Sequence, residues 1–216
     1  FLMALPHSDA FFMMGAPREC TESFGEGHVR AFSFFGGVPW RLSYDNSKIA
    51  VRAILGVHER TVTDGFLQLV SHYLFEHHFC TVQRGNEKGV VEGTGGYARR
   101  NFLVPVPEVA DFDELNAHLL ACCQGDLARQ LRGQAAAKAE LLKEDQAAFL
   151  PLPAAPFDAC RKQAARASSL ALVRFQNNDY SVPVRCAHHE LTVKGYWDRV
   201  EIYRGLEPLA VHRRCW

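Results

Sequence analysis

The sequence changes its hydrophobic period once, at Leu150-Pro151-Leu152-Pro153-Ala154-Ala155-Pro156. Each proline lacks a backbone N–H and has a fixed φ, so this run stops a helix and forms a semi-rigid extended segment. Upstream, apolar residues recur at helical spacing in several stretches. Downstream, they alternate with a period of two. One regular element cannot carry both periods, so the break predicts two folding units of different class. A chain of 216 residues has room for one large domain or two small ones.

The upstream part reads as alternating strand and helix. Residues 1–5 and 10–14 form two apolar strands around Pro6-His7-Ser8-Asp9. Thr21-Glu22-Ser23 starts a helix whose face carries Phe24, His28, Phe32 and Phe35, and Gly36-Gly37 ends it. A strand from Trp40 to Tyr44 stops at Asp45-Asn46. Asp64 is placed to cap a helix through Phe66, Leu67, Val70 and Leu74. A strand over 78–82, a polar loop over 83–89 and a helix from about Val90 follow. This alternation predicts an α/β layer with a partly parallel sheet. Asp111 and Glu114 stand at capping-box spacing, and residues 134–149 are rich in helix-forming Ala, Lys and Glu. Beyond the proline run, strands over 170–176, 180–184, 191–196 and 199–204 predict a small antiparallel barrel.

Composition narrows the function classes. No run of 18 apolar residues exists, which excludes a helical membrane span. The apolar start has neither a basic leader nor a small-residue cleavage site, so it does not read as a signal peptide; without an initiator Met, the chain reads as part of something longer. Seven cysteines at irregular spacing suit reduced thiols in a cytoplasmic protein. The zero net charge hides an asymmetry. Residues 101–150 carry four Lys and Arg against eight Asp and Glu, and residues 151–216 carry ten against six. A basic C-terminal third suits either an anionic partner such as nucleic acid or an ordinary solvated surface.

Two acids stand out by context. Asp45 follows a strand, where ligands of open α/β sheets bind. Glu92 opens a helix after a loop containing Gly and Lys. Brought together, two such carboxylates hold hard divalent cations, which polarise a phosphate and activate a water or a 3′ hydroxyl. By spacing alone, a turn-forming Asp and a helix-start Glu explain them as well. His77, His78 and Cys80 lack a second ligand pair at zinc spacing, and Cys20 with His28 has no supporting third group. The phenylalanine stripe reads as core.

Several segments in order resemble one family. Phe34-Phe35-Gly36-Gly37-Val38-Pro39 followed by Tyr44-Asp45-Asn46-Ser47-Lys48 resembles the second-aspartate region of IstA-type transposases of bacterial insertion sequences. Arg84-Gly85-Asn86-Glu87-Lys88-Gly89-Val90-Val91-Glu92 resembles their third-carboxylate region, and it runs on into Tyr97-Ala98-Arg99-Arg100-Asn101-Phe102. The proline run, Asn178-Asp179-Tyr180-Ser181-Val182-Pro183-Val184 and Lys194-Gly195-Tyr196-Trp197-Asp198-Arg199-Val200 extend the similarity over essentially the whole chain.

The resemblance implies a partial ribonuclease-H-like integrase core over 1–105, a helical and Pro-rich linker over 106–165, and a small DNA-binding β-barrel over 166–216. It implies DNA cleavage and strand transfer by an Asp-Asp-Glu triad with two Mg²⁺ ions. Asp45 becomes the second acid and Glu92 the third, both metal ligands. The first acid is expected on a core strand just upstream of Phe1, outside this chain, as is an N-terminal helix-turn-helix. Such a site requires the Asp45 and Glu92 carboxyls to converge within about 8 Å. Arg84, Lys88, Arg99 and Arg100 are expected to hold DNA phosphates near the site. Lys194 and Arg199, with Arg185, Arg204, Arg213 and Arg214, are expected to do so on the barrel, while Trp197 reads as core or cover. Implied partners are transposon-end and target DNA, an AAA+ ATPase helper and further copies on DNA, with no membrane. The implied setting is the bacterial cytoplasm at the nucleoid. One departure is Gly93-Thr94-Gly95-Gly96, which weakens the helix carrying Glu92. The alternative is a non-catalytic DNA-binding or assembly remnant of a decayed transposase.

Overall fold

The computed structural model describes residues 1–45, 49–54, 60–80 and 89–216. They form two compact units. One comprises residues 1–16 and 27–157, the other residues 17–26 and 158–216. The division falls at Phe157, directly after the proline run, so residues 106–157 belong to the first unit and form no third body.

In the first unit, β1 (Leu2–Ala4) and β2 (Phe11–Met13) make an antiparallel hairpin with Met3 opposite Phe12. Helix α1 (Thr21–Phe35) contributes residues 27–35 here. β3 (Arg41–Tyr44) pairs in parallel with β6 (Glu76–Phe79), with Tyr44 opposite Phe79. β4 (Val51–Ile54) and β5 (Arg60–Val62) form a second hairpin. The expected α/β alternation is present. The strands nevertheless form three separate two-stranded ladders, so the continuous sheet of a ribonuclease-H-like core does not appear among the described residues. The strand expected at 78–82 begins earlier, as β6 over Glu76–Phe79, because its pairing with β3 fixes its frame, while residues 81–82 and the loop expected over 83–88 lie outside the described residues.

Helix α2 (Asp64–Tyr73) starts one residue earlier than Asp64 as cap would place it. Thr63 is the N-cap and its hydroxyl accepts from the Phe66 N–H, while Asp64 sits in the first turn. Helix α3 (Gly89–Phe102) is helical through Gly93–Gly96 despite the three glycines. Helix α4 (Phe112–Asp126) is capped by Asp111, whose carboxylate accepts from the N–H groups of Asp113 and Glu114. Glu114 reaches back to the Ala110 N–H. Helix α5 (Lys138–Ala147) closes the unit. The core gathers Phe32 and Phe35 from α1 with Phe66, Tyr73 and Phe75. The fully buried His28 lies among Phe1, Phe32 and Phe75 and hydrogen-bonds the Tyr44 hydroxyl at 2.9 Å.

In the second unit, β7 (Arg161–Arg166), β10 (Glu190–Gly195), β11 (Arg199–Arg204) and β12 (Glu207–Arg213) form an antiparallel sheet in the order β12-β11-β10-β7. β8 (Leu172–Phe175) and β9 (Asn178–Ser181) form a separate hairpin, and a 3₁₀ turn spans Val184–Cys186. The expected barrel is therefore not closed: the four-residue strands of the hairpin join no ladder of the sheet. Side chains close the core instead. Val173, Phe175 and Tyr180 of the hairpin pack with Leu191, Val193, Val200 and Ile202 of the sheet. Gly195 is required there, because a Cβ on it would lie 2.2 Å from the Phe175 ring. Among the described residues, no helix is long and apolar enough to cross a membrane.

Candidate functional site

Asp45 follows the last residue of β3. Parallel pairing aligns the carboxyl ends of β3 and β6, and the Cys80 N–H extends the ladder by donating to the Tyr44 carbonyl at 2.8 Å. The Tyr44 ring is wedged between Phe66, Phe75 and Phe79, and burial pushes its phenol well above the ordinary range. Asp45 is exposed, so the chain leaves the aromatic core at this carboxylate. The short strand is thus anchored by Tyr44 and ends at an exposed carboxylate, at the carboxyl end of a parallel pair, where ligands of α/β sheets bind.

Glu92 lies in the first turn of α3 and is exposed. An acid there is favoured by the helix dipole. Further along, Thr94 and Ala98 are buried on one face while Arg99 and Arg100 are exposed in the last turns, where cations complement the dipole. Arg84 and Lys88 lie outside the described residues. Among the described residues, no three of His, Cys, Asp and Glu come together as a metal-binding group. Asp45 and Glu92 offer oxygen donors suited to a hard divalent ion, and these two alone do not complete a site.

The other candidates have neighbours of their own. His77 packs against Phe66 and Phe79. The Cys20 thiol faces the Ser23 hydroxyl at 3.2 Å, and burial pushes its pKa up, which disfavours a nucleophile.

On the second unit, alternation puts Lys162, Arg166, Lys194, Arg199 and Arg213 on the face of the sheet opposite its core. Lys194 and Arg199, the expected phosphate binders, are matched locally. Lys194 Nζ lies 2.9 Å from Asp158 Oδ2 and 5.5 Å from the Tyr203 ring centre. Arg199 bonds Glu201 at 2.6 Å and Asp198 at 3.1 Å, with its guanidinium 3.9 Å over the Tyr196 ring. Glu207 pairs with both Arg185 and Arg204. Arg214, expected on the basic surface, is buried: it pairs with Glu22 at 3.1 Å, donates to the Tyr196 carbonyl and stacks on Trp216. Burying this guanidinium costs desolvation, which the Glu22 carboxylate and the ring faces of Phe175 and Trp216 offset. Trp197 is likewise buried. By contrast, Arg161 and Arg213 are exposed and form no salt bridge with any described residue, and Arg166 is exposed with only a bond to the His188 carbonyl. Sequence reasoning passed over Arg161 and Arg166 because β7 shows little apolar alternation.

Residues 152–216 match the family described as Mu transposase, C-terminal domain. A transposase from Aminobacter aminovorans is 33% identical over 97% of this chain. The transposase for insertion sequences IS1326/IS1353 of Pseudomonas aeruginosa is also 33% identical over 97%, and that for insertion sequence element IS21 of the same organism is 30% identical over 98%. The chain spans 41% of the length of the first two and 54% of the third. Over nearly its whole length it is thus homologous to part of an insertion-sequence transposase.

Proposed function

We propose that this chain is a portion of an IstA-type transposase, comprising most of a ribonuclease-H-like catalytic core and a DNA-binding C-terminal domain. The observation that carries this reading is homology to insertion-sequence transposases over 97% of the chain, with Asp45 at the carboxyl end of a parallel strand pair. The whole protein would cleave phosphodiesters at transposon ends and join the 3′ ends to target DNA. Asp45 and Glu92 would be two of three carboxylates, converging to within about 8 Å. The third would come from a strand preceding β1. Two features support a place for that strand. The ladders β1–β2 and β3–β6 share no pairing, and Phe1 and Tyr44 both pack on His28 of α1. A strand inserted between them would also cover edges that pair with no strand among the described residues.

Two Mg²⁺ ions, when bound by such a triad, supply charge to stabilise the phosphate undergoing in-line displacement. This chain's residues would position those ions and hold DNA phosphates through Arg99, Arg100 and exposed cations of the second unit, with Arg84 and Lys88 as further candidates. An AAA+ ATPase helper, further copies of the chain and a place at the nucleoid complete the proposal. Similarity that continues through both units does not favour a non-catalytic remnant. The test is nicking of transposon-end DNA by a longer form that supplies the third carboxylate. Mg²⁺-dependent nicking is expected, and Asp45→Asn or Glu92→Gln should abolish it with DNA binding retained. Equal cutting with both acids replaced would overturn the assignment.

A further inference from the structure

Helix α3 has two unlike halves. Its C-terminal half is fixed from several sides. Ala98 is fully buried in a cluster with Phe11 and Cys123. The Tyr97 hydroxyl donates to Asp126 Oδ1 at 2.9 Å, and its ring meets Phe11 edge-on with the Arg129 guanidinium 4.2 Å over its face. Asp126 is itself buried and held at 2.7 Å by the buried Lys138. Among the described residues, the N-terminal half has little of this. Val91, Glu92 and Gly93 are exposed, and Thr94 is the buried side chain of that turn.

Three glycines fall where the two halves meet. A helix-interior glycine shifts the helix–coil balance about fivefold toward coil relative to alanine. Packing does not require them. Among the described residues, a Cβ on Gly93 would meet nothing within 4 Å. On Gly95 it would lie at an ordinary 3.5 Å from Leu2, and on Gly96 at 3.4 Å from the flexible end of Arg100. None of the three has a positive φ. Neither space nor backbone geometry explains glycine here, whereas the helix–coil balance does.

We infer that α3 is a hinged arm. Tyr97, with Asp126 and Lys138 behind it, is the positioning anchor, and Gly93–Gly96 let the first turns unwind and rewind while the anchored half stays docked. Glu92 rides on the movable part. Its use as a gate on a site carboxylate rests on the function proposed above; the hinge itself does not.

Amide hydrogen exchange on the 216-residue chain tests it without DNA or metal. The first four N–H groups of a helix lack intrahelical partners, so the informative amides are those of residues 93–96 against 98–101. The former should exchange at least about tenfold faster. Gly93→Ala, Gly95→Ala and Gly96→Ala together should slow residues 93–96 by up to about a hundredfold and leave 98–101 unchanged. Tyr97→Phe should do the reverse, speeding 98–101. Equal protection in the two halves, or no slowing in the alanine variant, would overturn the hinge. If nicking proved independent of Glu92 while the exchange pattern held, the site assignment alone would fall.

Discussion

Lys138 brings an ammonium group into the interior of the first unit, where it is 1% exposed. It bonds Asp126 at 2.7 Å, and the Asp9 carboxylate and carbonyl each at 2.9 Å. A buried ion pair gains little over an apolar substitute, but removing one partner leaves the other charge stranded. Lys138→Met should therefore destabilise the chain by about 3–5 kcal/mol, read from urea unfolding. A loss under about 1 kcal/mol would show that Asp126 finds enough compensation from Tyr97 and Arg129. Asp158 gives a second test at this scale. Burial alone would raise its pKa, but hydrogen bonds from Lys194, Tyr196 and Lys162 pull the carboxyl well below the ordinary carboxylate range. Arg199 and Tyr203 likewise outweigh burial and lower that of Glu201. A depressed folded pKa contributes stability above the unfolded value, near 4, and loses it as pH falls through the folded value. Thermal unfolding followed from pH 6 down to pH 2 should show the loss beginning below about pH 4. Asp158→Asn should lower stability at pH 6 and flatten the acid limb. An unchanged acid limb in that variant would show that Asp158 does not drive it.

At the scale of elements, local chemistry and distant pairing made unequal contributions. Helix α4 was legible because its start is written in adjacent residues: Asp111 caps and Glu114 reaches back. Asp111→Ala should cost about 1 kcal/mol, checked by chemical denaturation, with Glu114→Ala costing less. Equal losses from the two would mean the cap is not centred on Asp111. Strands β10 and β11 were legible from their alternating apolar residues. β7 was not, because Arg161–Arg166 turns only Gln163, Ala165 and its first arginine toward the core side; its place comes from pairing with β10, whose sequence lies some distance along the chain. β12 was hidden in the same way, since its partner β11 and the bulge at Ile202/Tyr203 set its frame. The same limit applies to the site. Asp45 and Glu92 could be placed at a strand end and a helix start from neighbouring residues. Lys138 in an Ala-rich helix reads as solvated until the fold sets it against Asp126. Arg214 reads as surface charge until Glu22 meets it.

For the molecule as a whole, net charge describes DNA affinity poorly, because most cations of the second unit are already matched. Lys162, Arg174, Arg185, Lys194, Arg199, Arg204 and Arg214 all face carboxylates. The exposed pairs among these rearrange readily, yet the cheapest charges to present to phosphate are those with no carboxylate to leave, Arg161, Arg166 and Arg213 among them. Under the proposed function, the chain should bind duplex DNA with little sequence preference and a modest salt slope. Three phosphate contacts predict about a 40-fold loss of affinity between 50 and 200 mM salt. Fluorescence anisotropy on a labelled duplex would measure it. Replacing Arg161, Arg166 and Arg213 together by Gln should flatten that slope by more than half, whereas Lys194→Gln with Arg199→Gln should change it less. The opposite ranking would return the interface to Lys194 and Arg199 and mean that Asp158, Glu201 and Asp198 release their partners on binding. Under the proposed function, the same preparation should not nick DNA when Mg²⁺ is added, because two carboxylates do not hold both ions in the geometry that in-line displacement needs. Nicking by the 216-residue chain, lost in Asp45→Asn, would show that two carboxylates suffice and that no third from a preceding strand is needed.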